Sequence, residues 1–341
     1  MDEKEQTPQQ TLPTGLCLLV TSIGKKVPLL SALRKALTEF SAREQLWPGR
    51  LLGGDCDANC LGRYFVDHFV QLPADGQRTL PGLLDVCRQW GVNAIIPTRD
   101  AELPFFARHK AELAQAGITV HISDLPAVTH CLDKLLFSQQ LLQAGFAQTI
   151  PTAIRLADLN APSFVVKERY GAGSNRQRLN LSHREAAIHA DSLAHPIFQP
   201  YIKGREFSVD LYLDARSQPL GTVVRSRDLI VNGEAQITTT VDHPDIEELC
   251  NRLTRSLKLT GHQVIQLIVD DNEQIHLLEC NCRFGGASTL SFAAGLPSLM
   301  WFFCAATGRD LKHYPFIRSP HPLRQIRHLT DWVIPLPAVE I

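Results

Sequence analysis

The chain has 341 residues, of which 44% are hydrophobic and 20% charged, with 34 Lys and Arg against 35 Asp and Glu. That length exceeds the ~150–200 residues of a usual single domain, so two or three packed units are expected. The near balance of charge excludes a global field that would recruit nucleic acid or an anionic membrane, which leaves small molecules as the expected partners.

Met1 to Thr14 are polar and rich in Pro and Gln, lack the apolar core of a signal peptide, and are expected to form a disordered tail. Nine cysteines, an odd number scattered through predicted strands and helices, read as reduced thiols of a cytoplasmic protein. From Leu16 to Thr21 a short apolar run predicts a strand, and Leu29, Leu30, Leu33 and Leu37 continue at helical spacing. A second strand is predicted at Leu51–Asp55, a helix at Leu80–Trp90, a third strand at Ala94–Pro97 and a helix at Glu102–Gln115. This alternation predicts a doubly wound parallel sheet, with ligands expected at the strand ends near Gly24, Asp55 and Thr98-Arg99-Asp100. Thr21-Ser22-Ile23-Gly24-Lys25-Lys26 matches neither a dinucleotide fingerprint nor a Walker loop, so a plain turn and a substrate loop both stay open there. Asp55-Cys56-Asp57 similarly reads as a polar substrate contact or as a helix cap.

The pattern changes near residue 130. A helix over Leu132–Gln143 carries Lys134, and Pro151 precedes a strand at Phe164–Lys167. That strand runs into Tyr170-Gly171-Ala172-Gly173-Ser174-Asn175, whose small residues would let backbone N–H groups approach phosphate oxygens beside the Lys167 charge. Ile197–Ile202 predicts a strand leading to Lys203-Gly204-Arg205-Glu206, and Phe207–Tyr212 alternates as a half-buried strand. Val223-Val224-Arg225-Ser226-Arg227 ends in two arginines on one face, suited equally to a substrate carboxylate and to a solvated sheet face, and Thr238–Thr240 read as a loop closing over that region.

The most informative stretch is Glu279-Cys280-Asn281-Cys282-Arg283-Phe284-Gly285-Gly286, which follows the apolar run Val264–Val269 and a polar turn. Adjacent strands would place Gln266, Glu279, Asn281 and Arg283 on one surface, and a carboxylate with two amide oxygens is a hard donor set suited to Mg²⁺. Cys280 and Cys282 lack a partner Cys or His pair at finger-like spacing, so packing is preferred over zinc. Phe284 to Gly308 carries no charge, but its glycines and Pro297 predict two buried helices rather than a membrane span.

Taken in order, these motifs resemble an ATP-grasp ligase of the carbamoyl-phosphate-synthase-like carboxylate-amine ligase group, from about residue 15 to 334. The resemblance implies an α/β ATP-grasp fold: a preATP-grasp domain over 15–125 with a doubly wound parallel sheet, a small lobe with the glycine-rich flap over 126–200, and a large lobe over 201–341 that ends in a terminal strand at Leu323–Ile334. By the same resemblance Lys134 and Lys167 hold ATP phosphates, Gly173 and Ser174 belong to the flap, Gln199 and Tyr201 to the adenine linker, and Glu206 to the ribose contact. Gln266, Glu279 and Asn281 become ligands of Mg²⁺, implied as two ions with Mn²⁺ as a substitute, and Arg283 flanks the transferred phosphoryl group. Arg225 and Arg227 are left as substrate candidates, and a homodimer is implied because relatives often dimerise. The sequence departs from the group at Cys282, where Pro is usual, at Asn175-Arg176, where Lys-Gly is usual, and at Pro200, where Glu is frequent. The implied reaction joins a small carboxylate, activated as an acyl phosphate, to an amine. Release of the acyl phosphate by a kinase-like enzyme, and ATP binding that only regulates, remain as alternatives.

Overall fold

A computed structural model describes residues 15–171, 173 and 176–333. The expected tail at 1–14, Ala172, Ser174 and Asn175 of the glycine-rich loop, and Ile334 at the end of the expected terminal strand lie outside the described residues.

The first unit alternates strand and helix, in the order β1 (Cys17–Thr21), α1 (Val27–Arg43), β2 (Arg50–Asp55), β3 (His68–Gln71), α2 (Leu80–Trp90), β4 (Ala94–Pro97), α3 (Leu103–Arg108), α4 (Lys110–Gln115) and β5 (Thr119–Val120). Its strands form a parallel sheet in the order β3-β2-β1-β4-β5. The predicted alternation and the parallel sheet are both present. In α1, Leu29, Leu30, Leu33, Leu37 and Phe40 are buried at helical spacing. The start of α2 is fixed by the Thr79 side chain, which accepts from Gly82 N–H, and its end by Gly91 at φ 67°. The helix expected over 102–115 is instead two, interrupted at His109.

Two helices, α5 (Leu125–Leu132) and α6 (Lys134–Gln143), then lead to a small antiparallel sheet of β6 (Phe164–Glu168), β7 (Arg178–Leu181) and β8 (Pro196–Pro200), ordered β7-β6-β8 and covered by α7 (His183–Ala190). The last unit is a six-stranded antiparallel sheet ordered β13-β12-β9-β10-β11-β14. It is built from β9 (Gly204–Leu213), β10 (Pro219–Val231), β11 (Glu234–Val241), β12 (Gly261–Asp270), β13 (Ile275–Asn281) and β14 (Arg324–Ile326), with helices α8 (Pro244–Ser256), α9 (Ser288–Ala293) and α10 (Ser298–Thr307). Thr238–Thr240, read from sequence as a loop, are strand residues of β11 paired with Arg225–Arg227 of β10. The uncharged stretch forms α9 and α10, and no described helix is long and apolar enough to cross a membrane.

Burial follows the strand period. On β9, β10 and β12 the residues Val209, Leu211, Val224, Ile265 and Leu267 point into one core, and that core also takes up Leu19 and Ile95 of the parallel sheet and Ala127, Cys131 and Leu141 of α5 and α6. A second core joins Leu18, Phe40 and Ile96 to Trp301, Phe302 and Phe303 of α10. The small sheet has its own cluster, comprising Leu156, Phe164, Val166, Ala186, Leu193 and Phe198.

Candidate active site

Lys167 sits on β6, the central strand of the small sheet, where alternation turns its side chain away from the Phe164–Val166 core. It is 7% exposed and, among the described residues, makes no ion pair. Burial is the main reason its pKa falls to about 8; Glu279 opposes that shift and Lys134 adds to it. Lys134 is the first residue of α6 and donates to the Gly171 carbonyl at 2.7 Å. Its position is set by Asp133, which caps α6 through Leu135 and Leu136 N–H and takes a bidentate pair from Arg169 at 2.8 and 2.6 Å.

Across from Lys167 lies the open face of the large sheet. Gln266 and Glu279 are register partners on β12 and β13, so their side chains share a face, and Asn281 follows two residues on. Asn281 Nδ2 donates to Glu279 at 3.1 Å, and Arg283 Nη2 donates to Asn281 Oδ1 at 3.2 Å. On the neighbouring β9, Ser208 opposes Gln266 and Glu206 opposes Ile268, which puts Glu206 on the same face. Arg227 of β10 lies beside it, with Nε 3.2 Å from the Glu206 carboxylate. The charge of Glu279 acts on Lys167, Arg227 and Arg283, three cations from three separate elements.

Arg283 ties this face to the parallel sheet. Its guanidinium donates to both oxygens of Asp100, at 2.8 and 2.6 Å, just beyond the end of β4. Burial works against the charge, but Asp100 outweighs it, so the Arg283 pKa is raised. Lys26, at the end of the β1 loop, is pushed below its ordinary pKa first by burial and then by Arg283. One residue from this contact, at the ends of β1, β2 and β4, opens a pocket of about 480 Å³ lined by Ser22, Lys25, Asp55, Asp75, Arg78 and Arg99. It sits where strand order reverses in the parallel sheet, the usual ligand crevice of such sheets. Beneath it Glu102, 1% exposed, accepts from Ser22 Oγ and Arg78 Nη1 and from Thr98 N–H.

The predicted residues fall into three groups. Gln266, Glu279, Asn281 and Glu206 share one sheet face, Arg283 bonds to Asn281, and Lys167 lies within electrostatic reach of both Glu279 and Lys134. Gln199 is buried and donates from its side chain to Thr152 Oγ1 at 2.7 Å, while Tyr201 gives its N–H to Ser163 O at 2.9 Å, so neither offers those groups to a ligand. Gly173, at φ 74°, has open space where a Cβ would stand, whereas Ser174 lies outside the described residues. The third group is the arginine pair. Arg225, 2% exposed, donates to Asp210 at 2.6 Å and has no face for a substrate. Asp210 also accepts from Ser291 Oγ at 2.9 Å and from Ser288 Oγ, which in turn accepts from Gly285 N–H at 2.8 Å. Arg225 thus belongs to a buried network that fixes the Gly285 loop beyond Arg283, and the substrate reading of that residue is replaced by a positioning one. The Arg227 side chain is 6% exposed and donates to Gly233 O at 2.8 Å.

Sequence reading missed Lys26, the Asp133–Arg169 brace and Arg327. The last donates to Glu234 at 2.8 Å and lies so close over Gly286 that a Cβ there would stand 2.7 Å from Nη2. Only Lys26 carried a signal, its position after a strand end.

The donor set fits a magnesium-bound polyphosphate. Oxygen ligands of Glu279, Asn281 and Gln266 stand together, and the buried ammonium of Lys167, unpaired among the described residues, calls for an anion.

Comparison with known proteins finds similarity to two family models and to several solved structures. Residues 193–329 match the family model described as ATP-grasp in the biosynthetic pathway with Ter operon, and residues 18–121 match the PylC-like N-terminal domain. Among solved structures, the chain is similar to a Campylobacter jejuni biotin carboxylase in complex with β,γ-ATP, at TM-score 0.69 and 14% identity, covering 86% of this chain and 71% of that one. It is similar to a Staphylococcus aureus N5-carboxyaminoimidazole synthetase complexed with ADP, at TM-score 0.68 and 17% identity over 88% and 79% of the two chains. It also resembles a Bacillus licheniformis L-amino acid ligase, at TM-score 0.64 and 15% identity over 88% and 76%. No curated protein sequence matches.

Proposed function

We propose, from the matches of residues 193–329 to an ATP-grasp family model and of residues 18–121 to a PylC-like N-terminal domain, that the chain is an ADP-forming ligase that activates a small carboxylate as an acyl phosphate and captures it with an amine. The observation that carries the reading is the position of Glu279, whose charge acts on Lys167, Arg227 and Arg283 from three separate elements. Because Arg227 is paired with Glu206 and Arg283 with Asp100, it is Lys167 and Lys134 that supply the positive charge beside Glu279, and this suits a polyphosphate.

When bound, Mg²⁺ at Glu279, Asn281 and Gln266 would neutralise phosphate charge and align the terminal phosphoryl group. The chain's own groups do the rest. Lys134 and Lys167 hold the phosphates from the small lobe. Arg283, held in place by Asp100, has one N–H left on Nη1 beyond those given to Asp100, Asn281 and Phe284, and offers it to the phosphoryl group in flight. A substrate carboxylate oxygen attacks the γ-phosphorus and ADP leaves; the amine nitrogen then attacks the acyl carbon and phosphate departs with the activating bond. The pocket beside Asp100, with Lys25, Arg78 and Arg99 facing Asp55 and Asp75, suits a small molecule that carries both charges.

The decisive experiment supplies small acids and amines in pairs with Mg-ATP and records ADP and the condensed product by mass. ADP release only when both partners are present supports ligation; release with the acid alone indicates a freed acyl phosphate. Mg-ATP binding without turnover across the panel indicates a regulatory role. Glu279→Gln should lower ADP formation by at least about 100-fold, since a lost charge ligand removes several kcal/mol of transition-state stabilisation. Unchanged ADP release in that variant removes Glu279 from the metal site.

A further inference from the structure

On the opposite side of β13 from the carboxylate face, three thiols meet. Cys131 at the C-terminal end of α5, Cys280 on β13 and Cys282 just beyond it are 5%, 2% and 1% exposed. Their sulfur atoms all lie within 4.8 Å of one another. Leu277, Ile265 and Leu267 lie in the same core, while the Asp100–Arg283 pair lies within electrostatic reach of Cys282. Zinc-finger spacing was absent because the third sulfur comes from a distant segment, and folding supplies it.

We propose that Cys131, Cys280 and Cys282 form a three-coordinate site for a soft d¹⁰ metal ion, and that Cu(I) is the ion it takes. Softness excludes magnesium and calcium, which need oxygen ligands, whereas thiolates select Cu(I) and zinc. Coordination number decides between these two. Structural zinc sites are tetrahedral, and among the described residues the group offers three donors. A water as fourth ligand is disfavoured by the buried, largely apolar surroundings of the three thiols. An ion about 2.3 Å from each of three sulfurs separates them by ~4 Å, so the cluster needs to tighten by less than ~1 Å. Each thiol that ligates gives its proton to the buffer. Occupancy would clamp α5 to β13, one residue from Asn281 and two from Asp133, so the site lies at the back of the proposed ATP site but does not depend on it.

Anaerobic titration of the reduced full chain with Cu(I), in competition with a chromogenic chelator, tests the proposal. The expected result is one tightly held equivalent, lost separately in Cys131→Ala and Cys282→Ala and retained in Cys250→Ala, whose thiol is buried nearby but outside the group. Thermal shifts with Mg-ADP verify that each variant is folded. Loading by refolding with Cu(I) covers slow entry into a closed core. The proposal is overturned if the wild type takes no copper by either route, or if the Cys131 and Cys282 variants hold as much as the wild type, which would place the ion on exposed Cys56. Loss in Cys250→Ala also overturns it, because four thiolates would then be required.

Discussion

Lys167 shows how function opposes stability at a single residue. Its ammonium is buried without an ion pair among the described residues, and its pKa drops from 10.5 to about 8, chiefly by burial. The sign follows from linkage. A lysine with a depressed folded pKa destabilises the fold fully below about pH 8, and the cost fades as pH rises towards the unfolded value. A shift of that size corresponds to about 3 kcal/mol. Lys167→Met should therefore raise ligand-free stability in denaturant at pH 7 and give little gain near pH 10. The same variant should lose the thermal shift that Mg-ADP produces in the wild type. If it destabilises equally at both pH values, the ammonium was not paying a desolvation cost. Phosphate would lift the Lys167 pKa, so nucleotide binding by the wild type should take up a proton near pH 8 and weaken above it, as calorimetry in buffers of differing ionisation enthalpy would record.

Helix α6 places Lys134, and Asp133 is what places α6. The Asp133 pKa is lowered; burial opposes its charge, but Arg169 and the two capped N–H groups outweigh that. Asp133→Ala removes a cap worth about 1 kcal/mol and strands the half-buried Arg169 guanidinium, so a loss of about 2–4 kcal/mol is expected. Asp133→Asn keeps the capping oxygen but loses the charge and the second acceptor for Arg169 Nη2, so chemical denaturation should place it between Asp133→Ala and wild type. Equal losses would mean the cap contributes nothing. This brace was not legible in the sequence, although its neighbour Lys134 was. The Glu279–Arg283 stretch could be read because hard donors alternate with thiols within one strand, where period two fixes the faces. Lys134 and Lys167 became legible only through the order of motifs. What sequence could not supply were contacts between distant segments: Asp100 with Arg283, 183 positions apart, the third thiol at Cys131, and the burial of Arg225 against Asp210. Periodicity assigns a face to a side chain but not its partner across the fold.

At the scale of the molecule, the hydrophobic clusters divide the chain differently from the expected boundaries. Residues 126–146 were grouped by sequence with the small lobe, yet Ala127, Val128, Cys131, Phe137, Leu141 and Phe146 sit in the core shared by the parallel sheet and the large sheet. Two clusters thus weld the N-terminal unit to the large lobe, with Asp100–Arg283 as a polar link between them. The third cluster is confined to residues 156–198 and is much smaller. A segment with its own small core opens at lower free energy than the body to which it is attached. The small lobe is therefore the part expected to close over nucleotide, carrying Lys167 towards Glu279 while Arg283 and the pocket beside Asp100 stay fixed. Hydrogen exchange followed by mass spectrometry checks this: Mg-ADP should slow exchange in peptides from β6, α7 and β8, with much smaller changes in β1, β9 and β12. Protection spread evenly over all three sheets would show instead that the chain responds as one unit.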